Sequence, residues 1–332
     1  MFKTDCLIVG AGPIGLFSIF QAGMLGMKSH VVESLDFIGG QCSALYSEKP
    51  IYDIPGFSVI QSSDLIENLK IQSEPFKPTY HLGQTVIDIK KENDFFITTT
   101  SSGTKIQSKI VLIAAGCGSF GPNKPPIENI EEYEEKSVLY SVQSTERFKD
   151  KVVSIAGGGD SALDWAVILA SISSKVNLIH RRAKFRAHEA TVEKVHKLVE
   201  EGKIDLVIPY HLDDLEGDNG YIKNIVLKDL DDQKIKLPSD YLLAFFGLKS
   251  DIGHLKDFGF EIQNNNIIVD ECFYQTSLEG IYAVGDISSY KGKIKLILTG
   301  FAESASALHH AYKKVFDKEL HFQYSTSKGI PE

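Results

Sequence analysis

The chain has 332 residues, a formal net charge of -9 and 43% hydrophobic residues. This length predicts two domains, and the negative charge argues against general affinity for nucleic acid. No apolar run reaches the length of a membrane span, so we expect neither a membrane segment nor a signal peptide. The cysteines stand singly without metal-binding spacing, which fits a reducing, cytoplasmic location.

The N-terminal segment has the order of a dinucleotide-binding fold. An apolar strand at 7–9 is followed by a glycine turn, a helix, a second strand and Glu33. In this pattern Gly10 permits the tight turn, Gly12 lets the backbone approach a pyrophosphate, and Gly15 lets helix and strand pack closely. The start of the helix would bind the pyrophosphate, and Glu33 could accept hydrogen bonds from a ribose. The alternative is a strand-to-helix turn that binds no ligand.

The next stretch divides into a loop and a small sheet. Residues 34–57 are dense in Gly, Pro and aromatic residues, so we expect a loop that contributes to the site. A helix is predicted at 64–72, with Ser63 as its cap. A small antiparallel meander, ending in a buried strand that closes at Gly116, is predicted from the runs at 85–90, 95–100 and 106–113.

After a predicted linker at 117–126, the opening pattern returns. Gly157, Gly159 and Ala162 follow a second apolar strand with the spacing of the three glycines in the first fingerprint, and the motif allows alanine at the third position. The chain therefore contains two dinucleotide folds. The second fold also repeats the meander and the buried strand, at 221–227, 234–237 and 241–247.

The second fingerprint differs from the first at the ribose position. His180 stands where the first fold has Glu33, and it is followed by Arg181, Arg182 and later Arg186. A carboxylate would repel a 2′-phosphate, whereas guanidinium groups bind it, so this site should prefer NADP(H) to NAD(H). The alternative is that these arginines form a solvated edge.

The C-terminal third contains a strand at 280–284, a carboxylate at Asp286 and a helix from Thr299 to about Val315. Residues 1–116 lack a partner for these elements, so we expect this segment to return and complete the first domain.

The predicted fold class is therefore α/β, with two Rossmann-like three-layer domains that each carry a small antiparallel meander. Residues 117–247 would form one domain, inserted between residues 1–116 and 248–332 of the other.

The two fingerprints and the motif TxxxGxYAxGD resemble the two-dinucleotide-binding-domain flavoproteins, whose compact members are the thioredoxin reductases. The resemblance implies that the first fold binds FAD and that the inserted fold binds NAD(P)H. It also implies that Asp286 binds the ribityl chain and that the following helix directs its positive end at the flavin. A thioredoxin reductase carries CxxC just before its second fingerprint, where this chain reads YSVQS at 140–144.

Finer features resemble the thioredoxin-reductase-like ferredoxin–NADP reductases of bacteria. They are ESLxxxGGQCSALYxEKxIYDIPGF, GGGDSALDWA, HRRxxFRAHE and a terminal STS. The residues that we expect to bind FAD are Gly10, Gly12, Ile14, Gly15, Glu33, Gln41, Tyr46, Val86, Phe120, Asp286, Tyr324 and Ser327. Those expected to bind NADP(H) are Gly157, Gly159, Asp160, Ser161, Arg181, Arg182 and Arg186.

Several of these roles are implied by the resemblance alone. Tyr46 would stack on one isoalloxazine face, the tail containing Tyr324 would cover the other, and Val86 would contact the adenine end through its backbone. The alternative for both tyrosines is ordinary aromatic packing. Cys42 is interpreted as a small buried residue rather than a nucleophile.

The activity implied is electron transfer from NADPH, through FAD, to ferredoxin or flavodoxin. We expect no catalytic acid, base or nucleophile, and the resemblance implies a homodimer. Two alternatives are an NADPH-dependent reductase of quinones or disulfide proteins, and a flavin redox sensor without turnover.

A lysine-rich loop between Asp286 and the last helix predicts a docking surface for an acidic acceptor. It contains Lys291, Lys293 and Lys295, to which Lys49 could add. The alternative is a solvated loop with no partner.

Overall fold

The computed structural model describes residues 1–320, except for the side chains of Phe120, Leu248 and Ser250. The chain divides into two compact units. One contains Met1–Phe120 and the chain from Ser250 onwards, and the other is Gly121–Lys249.

The described range contains the following helices and short strands, in chain order. The first part of the chain forms β1 (Phe2–Lys3), β2 (Cys6–Val9), α1 (Pro13–Met24), β3 (Ser29–Val32), α2 (Gly40–Leu45), β4 (Pro50–Ile51), β5 (Ile60–Gln61), α3 (Ser62–Ser73), β6 (Thr79–His81), β7 (Val86–Glu92), β8 (Phe95–Thr100), β9 (Lys105–Ser108), β10 (Ile110–Ile113) and β11 (Ser119–Pro122). The middle part forms β12 (Val138–Leu139), β13 (Val152–Ala156), α4 (Asp160–Leu169), β14 (Lys175–Ile179), α5 (Glu189–Glu200), β15 (Ile204–Val207), β16 (His211–Asp218), β17 (Tyr221–Lys228), β18 (Lys234–Pro238), β19 (Tyr241–Ala244) and β20 (Leu248–Asp251). The last part forms β21 (Ile262–Gln263), β22 (Asn266–Ile268), β23 (Ile281–Ala283), β24 (Ser288–Ser289) and α6 (Ile297–Phe316).

The first unit is built on a parallel sheet of five strands in the order β23-β10-β2-β3-β6. Alternate residues of β2 face opposite layers. Cys6 and Ile8 pack with α1, α3 and α6, whereas Leu7 and Val9 pack toward a second sheet of order β1-β9-β8-β7. Burial on both faces explains why β2 reads as a continuous apolar run.

The second unit repeats this plan. Its parallel sheet has the order β12-β19-β13-β14-β15, with α4 and α5 in the core on one face and the meander β16-β17-β18 in the core on the other. Together the two units confirm the predicted α/β class with two Rossmann-like folds. The β23 strand pairs with β10 in parallel, with Ile281 opposite Val111.

Two predictions for residues 34–73 were wrong. The loop predicted at 34–57 contains the short helix α2, which the left-handed backbone of Gly39 and Gly40 allows to begin beside the glycine turn. Ser63 does not cap α3, because the helix begins at Ser62 directly after β5. Its first amides are bonded by loop carbonyls instead, with Ser62 donating to Lys49 and Ser63 to Ser47.

The second meander has an additional strand, and one predicted strand is divided. Strand β16 was not predicted, because its sequence HLDDLEGD alternates only weakly. The run at 106–113 breaks at Lys109 into β9, in the meander, and β10, in the parallel sheet. Within residues 1–320, no helix is both long enough and apolar enough to cross a membrane.

Candidate functional site

The first glycine turn leaves open space at one of its glycines. Gly10 has a φ of +104°, and a Cβ there would lie 2.4 Å from the carbonyl oxygen of Ala114. A Cβ on Gly12, by contrast, would have no neighbour closer than the Cα of Gly40 at 4.0 Å. Gly12 is the N-cap of α1, and no side chain caps that helix start. Backbone amides and the positive end of the helix dipole therefore face a cradle that suits a pyrophosphate.

Glu33 stabilises the glycine turn through hydrogen bonds. Its side chain is buried, and Oε2 accepts a hydrogen bond from the backbone N–H of Ala11 at 2.7 Å. The other oxygen, Oε1, accepts from the N–H of Leu35 at 2.9 Å and from the hydroxyl of Ser34 at 3.0 Å. A carboxylate oxygen can accept two hydrogen bonds, and Oε2 accepts only one from the described residues, so Glu33 can stabilise the turn and still accept a hydrogen bond from a ribose hydroxyl through Oε2. The bracing role could not be predicted from the fingerprint.

The Asp286 turn meets the glycine turn through Ile14. Strand β23 ends in a single turn of 3₁₀ helix, and the φ of Gly285 is +75°. A Cβ on Gly285 would lie 3.5 Å from the Ile14 side chain, and a Cβ on Gly300, in the first turn of α6, would lie 2.5 Å from it. The starts of α1 and α6 and the Asp286 turn therefore converge. The half-buried Asp286 is fixed through its carbonyl oxygen, which accepts from Asn266 Nδ2 at 2.6 Å.

Tyr46 lies next to this convergence. Burial raises the pKa of its hydroxyl, and Cys42, Asp286 and Cys117 raise that pKa further through their charges. The structure thus places a half-buried ring near Asp286. It does so through α2, the element that the sequence did not predict.

The other expected FAD residues are less well defined by the geometry. Gln41 reaches the end of β10, since its Nε2 lies 3.8 Å from the Cβ position of Gly116. Val86 is buried in β7 and pairs with Thr100. Phe120 lies in β11, and its side chain is not described. Tyr324 and Ser327 lie outside the described residues.

The second glycine turn has the same open position. A Cβ on Gly157 would lie 2.7 Å from the carbonyl oxygen of Phe245, whereas a Cβ on Gly159 would meet nothing within 4 Å. Helix α4 begins at Asp160, whose Oδ1 accepts from the N–H of His188 at 2.8 Å. Ser161 follows and is exposed. The geometry again suits a pyrophosphate at Gly159.

The arginines lie beside this turn. The backbone N–H of Arg186 donates to the carbonyl oxygen of Gly158 at 2.7 Å, and the His180 ring packs against Gly158. Burial lowers the pKa of His180; a backbone hydrogen bond at Lys184 raises this pKa by less, and the positive charges of the three arginines lower it further. Arg181, Arg182 and Arg186 are exposed, and no carboxylate within residues 1–320 pairs with them. Their guanidinium groups can therefore bind an anion.

The predicted lysine surface was wrong at its central residue. Lys291 and Lys295 are exposed, but the Lys293 side chain is only 7% exposed and pairs with the fully buried Glu303. The backbone turns at this point, with Gly292 at a φ of +81° and the N–H of Lys293 donating to the carbonyl oxygen of Tyr290. The turn directs this one lysine inward.

Comparison with known proteins identifies the family. The model for the pyridine nucleotide-disulphide oxidoreductases matches residues 4–304. The chain belongs to this family. A protein named ferredoxin–NADP reductase from Rickettsia canadensis is 54% identical over 329 residues, covering 99% of this chain and 98% of that one. A protein of the same name from Rickettsia massiliae is 53% identical, with the same coverage.

Among solved structures, a thioredoxin reductase from Lactococcus lactis aligns with a TM-score of 0.79 at 26% identity, over 95% of this chain and 100% of that one. A thioredoxin reductase from T. acidophilum aligns with a TM-score of 0.80 at 23% identity, over 94% and 99%, which shows the fold alone. These comparisons confirm the resemblance inferred from the fingerprints.

The cysteines of this family member are all unpaired. Cys6 and Cys42 are buried, Cys117 is half-buried and Cys272 is exposed. Burial raises the pKa of the Cys42 thiol above its ordinary value, so the thiolate is disfavoured. At the start of the segment 140–144, the Tyr140 hydroxyl donates to Glu134 Oε1 at 2.6 Å. A thiol mechanism therefore has no cysteine pair on which to act.

Proposed function

We propose that this chain is an FAD-dependent ferredoxin–NADP reductase. The observation that carries this proposal is 54% identity, over 99% of the chain, to a protein of that name. The structure also contains two open glycine turns, which differ in the residues beside the ribose position. Glu33 suits a free ribose diol, whereas the arginines suit a 2′-phosphate.

In this proposal the first unit binds FAD. Gly12 and the start of α1 bind the pyrophosphate, Glu33 the ribose and Asp286 the ribityl chain. Gln41, Tyr46, Val86, Phe120 and the C-terminal residues Tyr324 and Ser327 complete the site. Bound FAD would supply hydride acceptance and one-electron release, a conversion that amino-acid side chains cannot perform.

The second unit binds NADPH in the same way. Gly157, Gly159 and the start of α4, with Asp160 and Ser161, form the pyrophosphate cradle. The three arginines, Arg181, Arg182 and Arg186, bind the 2′-phosphate. The convergence of α1, α6 and the Asp286 turn supports a role for the protein in positioning and in excluding water. No side chain is assigned as catalytic acid, base or nucleophile.

The partners and setting complete the proposal. Ferredoxin is the acceptor in the relatives' name, and flavodoxin is proposed as a second acceptor, since it also carries single electrons. We include a homodimer and a cytoplasmic location, the latter supported by four free cysteines.

The cofactor part is tested by spectroscopy of the purified protein. We expect a yellow protein with about one FAD per chain, because the first unit holds one complete set of candidate ligands. Anaerobic addition of NADPH should bleach the flavin absorbance, and NADH should do so only at higher concentration. A colourless protein that takes up no FAD, or equal response to both nucleotides, would contradict the assignments of the first or the second unit respectively.

A further inference from the structure

A fully buried carboxylate lies beneath the Asp286 turn. Glu303, in the second turn of α6, is 0% exposed, and its Oε2 accepts from the backbone N–H of Gly285 at 2.7 Å. The Ser288 hydroxyl reinforces the turn by donating to the carbonyl oxygen of Gly285 at 2.8 Å. The residue that precedes Asp286 is therefore fixed to α6 by a charge-assisted hydrogen bond.

The charge of Glu303 is compensated from the lysine loop. Its Oε1 accepts from the Tyr290 hydroxyl at 2.7 Å and pairs with the Lys293 amine. The Lys293 amine also lies 5.5 Å from the centre of the Tyr290 ring, at cation–π distance. Burial, and then the hydrogen bond to Glu303, raise the pKa of the Tyr290 hydroxyl, which keeps it a donor. A buried carboxylate without a partner would destabilise the fold. Glu303 therefore needs a cation beside it, and the inward-facing Lys293 supplies that cation.

We infer that Lys293 and Glu303 are positioning residues that set the Asp286 turn for the flavin half of FAD. The inference rests on the proposed function. Two charges in a dry core cost free energy that apolar residues of similar size would not, so the pair is not explained by stability. Its effect is geometric. One oxygen of Glu303 binds the N–H of Gly285, and the other oxygen binds Tyr290 and Lys293 in the loop. These two contacts together fix the position of Asp286, which follows Gly285.

The test uses the FAD-loaded protein and three variants. Lys293→Met and Glu303→Gln each leave one buried charge unpaired, and Lys293→Met/Glu303→Gln removes both charges while nearly preserving shape. The double variant is expected to fold, because no buried charge remains unpaired. It should still release FAD about tenfold faster than the parent, because a neutral amide is a weaker acceptor for the N–H of Gly285 than a carboxylate. Release is followed as the growth of flavin fluorescence after dilution.

A double-mutant cycle with Asp286→Ala separates positioning from general support of the fold. If the pair acts through Asp286, adding the charge-free double variant to Asp286→Ala should not accelerate release further. Lys295→Met, an exposed lysine in the same loop, is the matched control and should release FAD at the parental rate. Parental release by the charge-free variant would overturn the inference. Additive acceleration in the cycle, or equal acceleration in the control, would also overturn it.

Failure of the proposed function can be distinguished from failure of this inference. If the unmodified protein retains no FAD, the FAD assignment of the first unit is wrong. If it retains FAD while the charge-free variant behaves like the parent, only the positioning role of Lys293 and Glu303 is wrong.

Discussion

Gly15 packs directly against the carbonyl oxygen of Gly10, and a Cβ on Gly15 would lie 2.0 Å from that oxygen. A Cβ on Gly12, two residues into the same turn, would have no neighbour closer than 4.0 Å. The fold therefore requires glycine at position 15. At position 12 the described protein leaves room for a side chain, so a requirement for glycine there would come from a bound ligand.

This contrast predicts different outcomes for two matched substitutions. Gly12→Ala should lose most of its bound FAD, because the added methyl group occupies the space of the pyrophosphate, and its FAD-free form should unfold at about the temperature of the FAD-free parent. Gly15→Ala should lower the free energy of unfolding by about 2 kcal/mol, through backbone overlap. Thermal denaturation and the flavin-to-protein absorbance ratio check both. Full FAD retention in Gly12→Ala would contradict a pyrophosphate site at this turn.

The second prediction concerns the choice of nucleotide. Replacing Arg181 and Arg182 with Ala should raise the KM for NADPH by about tenfold or more, because a charge-assisted hydrogen bond contributes roughly 1.5 to 3 kcal/mol. The KM for NADH should change little, since NADH has no 2′-phosphate. Steady-state kinetics with both nucleotides provide the comparison. An equal rise for both would show that the arginines support the fold of the turn instead.

The third prediction tests the absence of a thiol mechanism. Cys42→Ala/Cys117→Ala removes the two cysteines that interact electrostatically with the Tyr46 hydroxyl. Turnover from NADPH to ferredoxin should stay within a few-fold of the parent, because all four cysteines are unpaired and burial disfavours the Cys42 thiolate. Flavin content is measured alongside. Lost turnover with full flavin content would restore a role for a thiol.

The fourth prediction revises the lysine surface. Lys291→Gln/Lys295→Gln should slow ferredoxin reduction at low salt, because exposed positive charges accelerate encounter with an acidic partner. The difference should largely disappear near 0.5 M salt, where charges are screened beyond about 4 to 5 Å. Reduction of a small neutral quinone is the control and should not change. Lys293 is excluded from this surface, because it pairs with Glu303. If the rate of ferredoxin reduction changes neither with salt nor with these two substitutions, the loop is not a docking surface.

The parallel sheets were predictable from sequence because their strands are buried on both faces. The run Cys6–Val9 leads to a glycine turn and then to Glu33, and each step has a local signal. Helix α2 lacked such a signal, since it begins after the left-handed Gly39 and its first residue, Gly40, lies against the backbone of Gly12. A contact between residues so distant in sequence leaves no periodic pattern.

Charged residues were the least predictable part of the site. Lys291, Lys293 and Lys295 look equivalent in sequence, and only the backbone turn at Gly292 gives one of them a buried partner. Glu303, within an amphipathic helix, would ordinarily be placed at the surface. Its burial becomes understandable only when the N–H of Gly285 and the Lys293 amine are seen to bind it.

The most direct test of the central claim is the steady-state rate of NADPH oxidation by the purified, FAD-loaded protein with a ferredoxin as acceptor. The same preparation is assayed in parallel with a quinone, with a disulfide protein and with no acceptor. We expect ferredoxin to be reduced with NADPH at a rate that saturates with ferredoxin concentration, well above the rate without an acceptor. Saturable turnover with the quinone or the disulfide protein but not with ferredoxin, or no turnover with any acceptor, would contradict the account.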